Sequence, residues 1–206
     1  MLFMIPDVKT ANCLLIILII MVFPGCATRP PVDRGIQYAS WTRHQDKLSK
    51  LTVWEATGRI SVRMEKEAWS ASLQWHQDRQ EYFLRLIAPL GRGSYEITGN
   101  EEVVFLRTGR DEVLQASTPE TLMEDNFGWH VPLTGLIYWI RGLPAPGPKT
   151  DTLLLDEQGR IRDLAQSGWR VNFSSYSDTG GYDLPGKISL NNEKLKVRLV
   201  IKNWKI

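Results

Sequence analysis

The stretch Trp54-Glu55-Ala56-Thr57-Gly58-Arg59-Ile60-Ser61-Val62-Arg63 sets apolar Trp54, Ala56, Ile60 and Val62 against polar Glu55, Arg59, Ser61 and Arg63. Alternation with a period of two marks a strand with one wet and one dry face. Ala71, Leu73 and Trp75 repeat the pattern. Downstream, strand-like runs recur over Tyr82 to Ile87, Ser94 to Thr98, Val103 to Arg107, Glu112 to Ala116, Thr152 to Leu155, Arg160 to Ala165, Trp169 to Ser174, Lys187 to Leu190 and Lys194 to Asn203. With the first two they make about eleven strands, separated by turn signals such as Thr108-Gly-Arg-Asp111 and Asp156-Glu-Gln-Gly159. Short strands with close turns predict a mainly β, antiparallel meander.

The meander is interrupted once. Ser117-Thr118-Pro119-Glu120 offers a hydroxyl cap with proline in the first helical turn. Leu122, Met123 and Phe127 then fall on one helical face, and Pro132 opens a second helix carrying Leu133, Leu136, Ile137 and Ile140 up to Gly142. Two short helices between halves of such a sheet either cap one face or sit as a lid in the mouth of a curved sheet. Upstream, Trp41, Leu48 and Leu51 mark one stripe of a short amphipathic helix.

The N-terminus carries an address. Lys9 precedes an apolar run, Ala11 to Phe23, of about 13 residues, short of the roughly 20 that span a bilayer and right for the core of a signal peptide. Gly25-Cys26 at its end resembles a bacterial lipobox, although Phe23 and Pro24 depart from the usual residues. An uncleaved anchor and an ordinary signal with a chance cysteine are the alternatives. On the lipobox reading residues 1–25 are removed, Cys26 is acylated, residues 26–37 form a proline-containing tether, and one domain occupies residues 38–206. Ala27 is not the aspartate associated with inner-membrane retention, which implies the outer membrane. Loss of Cys13 with the signal leaves Cys26 alone, so disulfides, thiolate metal sites and cysteine catalysis are not expected.

The whole chain of 206 residues has 43% hydrophobic and 23% charged residues with a formal net charge of +2. That is a globular composition, too mildly basic to argue for nucleic acid. His44, His76 and His130 lie in separate elements without metal-ligand spacing, and no Gly-x-Ser-x-Gly elbow is present. Gly142-Leu-Pro-Ala-Pro-Gly147 has the glycine spacing of a phosphate loop, but Pro148 stands where its lysine belongs. No enzyme activity, metal or cofactor is expected.

The informative feature is apolar. Ile60, Val62, Leu73, Trp75, Leu84, Leu86, Phe105, Trp169 and Val171 are expected on the dry face, opposite Leu122, Met123, Leu136 and Ile140 of the helices. Such a surface is either a packed core or the lining of a ligand cavity. In Ile87-Ala-Pro-Leu-Gly-Arg-Gly93, Leu90 at a Pro-Leu-Gly turn is either buried or an exposed membrane probe beside Arg92.

The ordered series Trp41-x-x-His44-Gln45, Leu51-x-x-Trp54-x-x-x-Gly58-Arg-Ile60, Ser72-Leu-Gln-Trp75, Pro89-Leu-Gly91, Gly128-Trp-x-Val-Pro-Leu133, Tyr138-Trp-x-Arg-Gly-Leu-Pro144, Leu184-Pro185 and Lys202-x-Trp204 is similar to the LolB family of Gram-negative outer-membrane lipoprotein receptors. The resemblance spans about residues 41 to 204. It implies an unclosed antiparallel barrel of eleven strands with helices as a lid over an apolar cavity that takes acyl chains. It further implies a lipid-anchored monomer on the periplasmic face of the outer membrane. Such a protein accepts client lipoproteins from a LolA-type carrier and inserts them among the phospholipids of the inner leaflet, with Leu90 as the insertion tip. A lipoprotein of the same build that binds a lipid or another small hydrophobic ligand, without sorting, is the alternative.

Overall fold

The computed structural model describes residues 34–206 apart from 92 and 111. The signal segment, Cys26, most of the tether and Arg92 lie outside the described residues. Helix α1 (Arg34–Ser49) leads into strand β1 (Val53–Arg63). Five strands follow: β2 (Ala68–Asp78), β3 (Glu81–Ile87), β4 (Ser94–Gly99), β5 (Val104–Thr108) and β6 (Val113–Ala116). Helices α2 (Pro119–Phe127) and α3 (Leu133–Trp139) interrupt them. The chain then completes β7 (Thr150–Leu155), β8 (Ile161–Gln166), β9 (Trp169–Thr179), β10 (Tyr182–Asn191) and β11 (Lys196–Lys205).

All eleven expected strands are present, in one antiparallel sheet of order β6-β5-β4-β3-β2-β1-β11-β10-β9-β8-β7. The first and last strands pair at its middle, Ile60 opposite Leu199 and Val62 opposite Val197. Its free edges are therefore β6 and β7, and α2 and α3 are the connection between them. The sheet is unclosed. The β1–β11 register shifts between Thr57 and Gly58. A Cβ at Gly58 would stand 2.0 Å from the Val200 carbonyl oxygen, so no side chain fits without moving backbone.

Period two then sorts the side chains. Trp54, Ala56, Ile60 and Val62 of β1 are buried with Leu73 and Trp75 of β2, Leu84 and Leu86 of β3, and Val197 and Leu199 of β11. Trp54 packs against Trp75 and Trp204, each with ring centroids 5.4 Å away. Leu122, Met123, Leu136 and Ile140 of the helical insertion belong to the same contiguous cluster. The stretch Asp33–Ile206 is one compact unit with a contiguous hydrophobic core of its own.

Two expectations change. The ordered domain includes Arg34–Gln37, placed in the tether by sequence, because α1 starts at Arg34 and Gln37 Nε2 donates to the carbonyls of Leu155 (3.2 Å) and Asp156 (2.7 Å). Phe105 is not on the dry face. Its neighbours Val104 and Leu106 are fully buried, whereas Phe105 is exposed. The cause is register: Leu106 pairs with buried Ile97 and Phe105 with Thr98, and directly opposed residues share a face. Phe105 lies instead in a shallow outer groove with Phe83 and His76.

Candidate functional site

The remaining dry-face residues lie together in the structure. Ile60, Val62, Leu73, Trp75, Leu84, Leu86, Trp169 and Val171 from the sheet and Leu122, Met123, Leu136 and Ile140 from the helices are all buried in one cluster. The interior is apolar and closed by the helical pair.

The closure is fastened unequally. Thr118 caps α2, its Oγ1 accepting from the Thr121 N–H at 3.2 Å. No side chain of its own caps α3. Glu120 of α2 serves instead, its Oε1 accepting from the Thr134 N–H (2.9 Å) and Oγ1 (2.8 Å). A carboxylate there answers both the unpaired amides and the positive end of the helix. The far end of α3 is held more firmly. Arg141, 6% exposed, donates from Nη1 to the carbonyls of Leu51 (2.7 Å) and Leu48 (3.4 Å) and from Nε to that of Ile137 (3.1 Å). Burial lowers its pKa, with Tyr138 acting in the opposite sense. A buried cation thus joins the end of α1 to the end of α3, where helix carbonyls lack partners.

Gln166 of β8 makes the second fastening. Its Oε1 accepts from the Trp139 indole (3.0 Å) and the Ala145 N–H (2.9 Å), while Nε2 donates to the carbonyls of Ala145 and Pro148 (both 2.9 Å). By contrast, α2 is steadied by Glu120 and by an aromatic group at its C-terminal end, in which Phe127 contacts Tyr95 (4.8 Å) and Trp129 (5.1 Å), and Trp129 contacts Trp69 (4.9 Å). Arg141, Gln166 and Glu120 were not singled out as site residues from sequence. The signal for the first is an arginine set between Trp139-Ile140 and Gly142-Leu143 in an otherwise apolar run.

The end of the sheet holding the β1–β2, β8–β9 and β10–β11 turns carries a groove of about 1120 Å³. Trp169 and Leu195 line it and belong to the buried cluster. Its rim is charged, with Arg63, Lys194 and Lys196 beside Glu65, Glu124 and Glu193. His130 on the same rim pairs with Glu124 at 3.1 Å. An apolar floor continuous with the interior makes this groove the candidate mouth.

The β3–β4 loop leaves the sheet at the same end. Pro89–Gly91 form a single 3-10 turn, and the Ala88 N–H donates to the Gly93 carbonyl at 3.0 Å, pinching its base. Leu90 at the tip is 92% exposed with φ 59° and ψ 32°. Left-handed backbone costs a non-glycine residue about 1–2 kcal/mol, and leaving a leucine in water forgoes roughly 1.5–3 kcal/mol of burial. The fold thus holds a strained leucine away from the core, the pattern of a functional tip. The buried-turn alternative for Leu90 is excluded.

No group of three or more His, Cys, Asp or Glu among the described residues is arranged to hold a metal. No helix among them is long and apolar enough to cross a membrane.

Comparison with known proteins agrees with this geometry. The family described as "Outer membrane lipoprotein LolB" matches residues 52–204. The chain belongs to the LolB family. An outer-membrane lipoprotein LolB of Pseudomonas savastanoi pv. phaseolicola is 39% identical over 189 residues, covering 90% of this chain and 92% of the relative. The LolB protein of Nitrosococcus oceani is 35% identical over 199 residues, covering 96% and 99%. Among solved structures, a LolA superfamily protein from Nitrosomonas europaea superimposes with a TM-score of 0.55 at 8% identity, covering 82% of this chain and 93% of that one. A lipoprotein-sorting protein domain from Vibrio parahaemolyticus gives 0.51 at 8% identity, covering 84% and 93%. This LolB-family chain thus shares its fold with these two solved structures.

Proposed function

We propose that this protein is a lipoprotein of the outer membrane, anchored through acylated Cys26 on the periplasmic face, that accepts lipoproteins from a LolA-type carrier and inserts them into the inner leaflet. Leu90 is the observation that carries the reading: a protein that only stored a ligand has no use for a strained, water-exposed leucine beside the mouth of an apolar interior.

The energetics support uptake without a nucleotide. Lifting α2 exposes Leu122 and Met123, at roughly 1.5–3 kcal/mol each, together with Pro119 and the packed side of Phe127. An acyl chain of about a dozen methylenes gains about 0.8 kcal/mol for each one buried. Burial of a chain is thus of the size needed to offset displacement of the helix, while the fastenings at Arg141 and Gln166 keep α3 in place. The groove bounded by Trp169 and Leu195 is the route in, and its mixed charged rim receives the polar end of the cargo. Release then runs downhill to the membrane, where the leucyl side chain of Leu90 enters lipid and seats the mouth against it.

The test is transfer of a labelled lipoprotein from a LolA-type carrier, without nucleotide, to the folded stretch Asp33–Ile206 and onward to vesicles. Wild-type chain is expected to take up and deliver cargo. Leu90→Glu is expected to take up cargo and fail to deliver it. Absence of uptake by the folded chain overturns the proposal. Uptake by the wild-type chain without delivery leaves the lipid- or ligand-binding alternative, and delivery unaffected by Leu90→Glu removes Leu90 as the insertion tip.

A further inference from the structure

A second feature of the same surface is not used by that scheme. On the outer face of the sheet, Arg59 and Ser61 of β1 lie between Val200 and Arg198 of β11 on one side and Ser72 and Ser70 of β2 on the other. Ser72 in turn opposes Ile87 of β3, the residue from which the Leu90 loop departs. The result is a concavity of about 420 Å³ with serines in its floor, Arg59 and Arg198 along one side, and Ile87 and Pro89 on the other. A neighbouring concavity of about 370 Å³ shares Ser61, Ser70 and Arg198 with it and adds Arg63 and Lys196. Together they form one trough leading to the Leu90 loop.

Its charge is one-sided. No carboxylate lines either concavity, and among the described residues Arg59, Arg63, Lys196 and Arg198 have no ion-pair partner. Elsewhere on the sheet Arg85 pairs with Glu96 and Arg162 with Asp163, while exposed Arg107 and Arg170 lack an ion pair among the described residues; what sets the trough apart is four such cations with no carboxylate in its lining. Small serine side chains between the cations leave room for an oxygen-rich group and can donate to it.

The geometry points to the phosphates of membrane phospholipids as the occupant of this trough, held while Leu90 is in the bilayer. The inference rests on the reading of Leu90 as an insertion tip. Two interstrand steps of about 4.8 Å put Arg59 about 10 Å from Ile87, so a guanidinium reaches the headgroup layer while the neighbouring loop enters the acyl region. Ile87 and Pro89, exposed on the wall nearest Leu90, extend the apolar contact. An acidic protein would answer the charge of the trough but not its apolar wall. The role is to orient the mouth toward the leaflet, with attraction that grows with anionic lipid content.

The test is flotation of the stretch Asp33–Ile206 with vesicles of phosphatidylcholine alone and of phosphatidylcholine mixed with phosphatidylglycerol, at low and high salt. Arg59→Gln/Arg198→Gln is compared with Leu90→Glu and with the equally neutralised control Lys50→Gln/Lys149→Gln, after circular dichroism verifies folding. Each basic residue near an anionic surface contributes about fivefold in binding, so the double arginine variant is expected to bind mixed vesicles about 30-fold more weakly. The control is expected to bind them nearly as wild type, and high salt should erase the difference. Equal binding by the arginine variant and wild type overturns the trough. So does an equal loss in the lysine control, which would mean net charge alone, or weaker capture of cargo from the carrier with vesicle binding intact, which would mean an acidic protein partner. If Leu90→Glu binds both vesicle types like wild type while the arginine variant fails, the insertion tip is wrong and the phosphate trough stands.

Discussion

Replacing Leu90 with asparagine should make the folded domain more stable while impairing its delivery step. The side chain is 92% exposed, so removing it sacrifices almost no burial. What it removes is the mismatch between a γ-branched L-residue and φ 59°, ψ 32°, worth about 1–2 kcal/mol. Asparagine tolerates this region because its short amide bonds locally. The expected gain is about 1 kcal/mol, equivalent to a rise of roughly 2–4 °C in Tm for a domain of this size. Leu90→Gly relieves the same strain but adds unfolded-state freedom worth about 0.5–1 kcal/mol, so its gain should be smaller. Urea and thermal unfolding of the stretch Asp33–Ile206 read both variants, and cargo transfer to vesicles reads the cost. Destabilisation of either variant by more than about 0.5 kcal/mol, beyond the usual scatter of surface changes, would show that Leu90 makes stabilising contacts and would refute the strain argument. A stability gain with undiminished delivery would separate strain from function.

Gly58→Ala should destabilise severely, by about 3 kcal/mol or more, because the added methyl meets the Val200 carbonyl oxygen at 2.0 Å; chemical denaturation measures it. Arg141→Met keeps an apolar stem but orphans the Leu51 carbonyl, at about 1–3 kcal/mol for a buried group, partly offset by relief from burying a charge; the Leu48 carbonyl keeps the Leu51 N–H at 3.1 Å. The expected net loss is about 1 kcal/mol, with faster amide exchange at the end of α1; unchanged exchange there would count against the fastening. Glu120→Ala removes the side-chain acceptor at the start of α3 and should cost about 1 kcal/mol while speeding acyl uptake, measured by stopped-flow with a fluorescent lipid. Burial lowers the pKa of His44 below 6.5 despite Asp183, so the unfolded chain binds its proton first. Stability should therefore decline as pH falls below about 6.5 and level off below the folded value, and His44→Gln should flatten that part of the profile in urea titrations.

The strands were readable because each exposes one face, so polar residues punctuate the apolar ones. Where that punctuation failed, so did the reading: Val103-Val104-Phe105-Leu106 is unbroken, and only pairing with Ile97 and Thr98 sets Phe105 outward. The start of α1 was missed because Ile36 and Tyr38 are exposed and the polar side chain of Gln37 makes the attachment. Leu90 was visible as a turn residue, but its exposure and left-handed backbone arise from the loop's closure at Ala88 and Gly93. The basic trough joins residues about 140 positions apart, and β1–β11 register is needed to see Arg59 and Arg198 as one surface.

The linear strand order has a mechanical meaning. In a closed barrel, strand number and shear fix the girth, and widening it means parting a ladder of main-chain hydrogen bonds. Here β6 and β7 share no ladder, so the sheet is a sprung strip and not a hoop. Moving its two ends apart breaks only side-chain contacts with α2 and α3. Its girth is thus adjustable without parting a ladder, and under the proposed function every ladder would survive each cycle of filling and emptying.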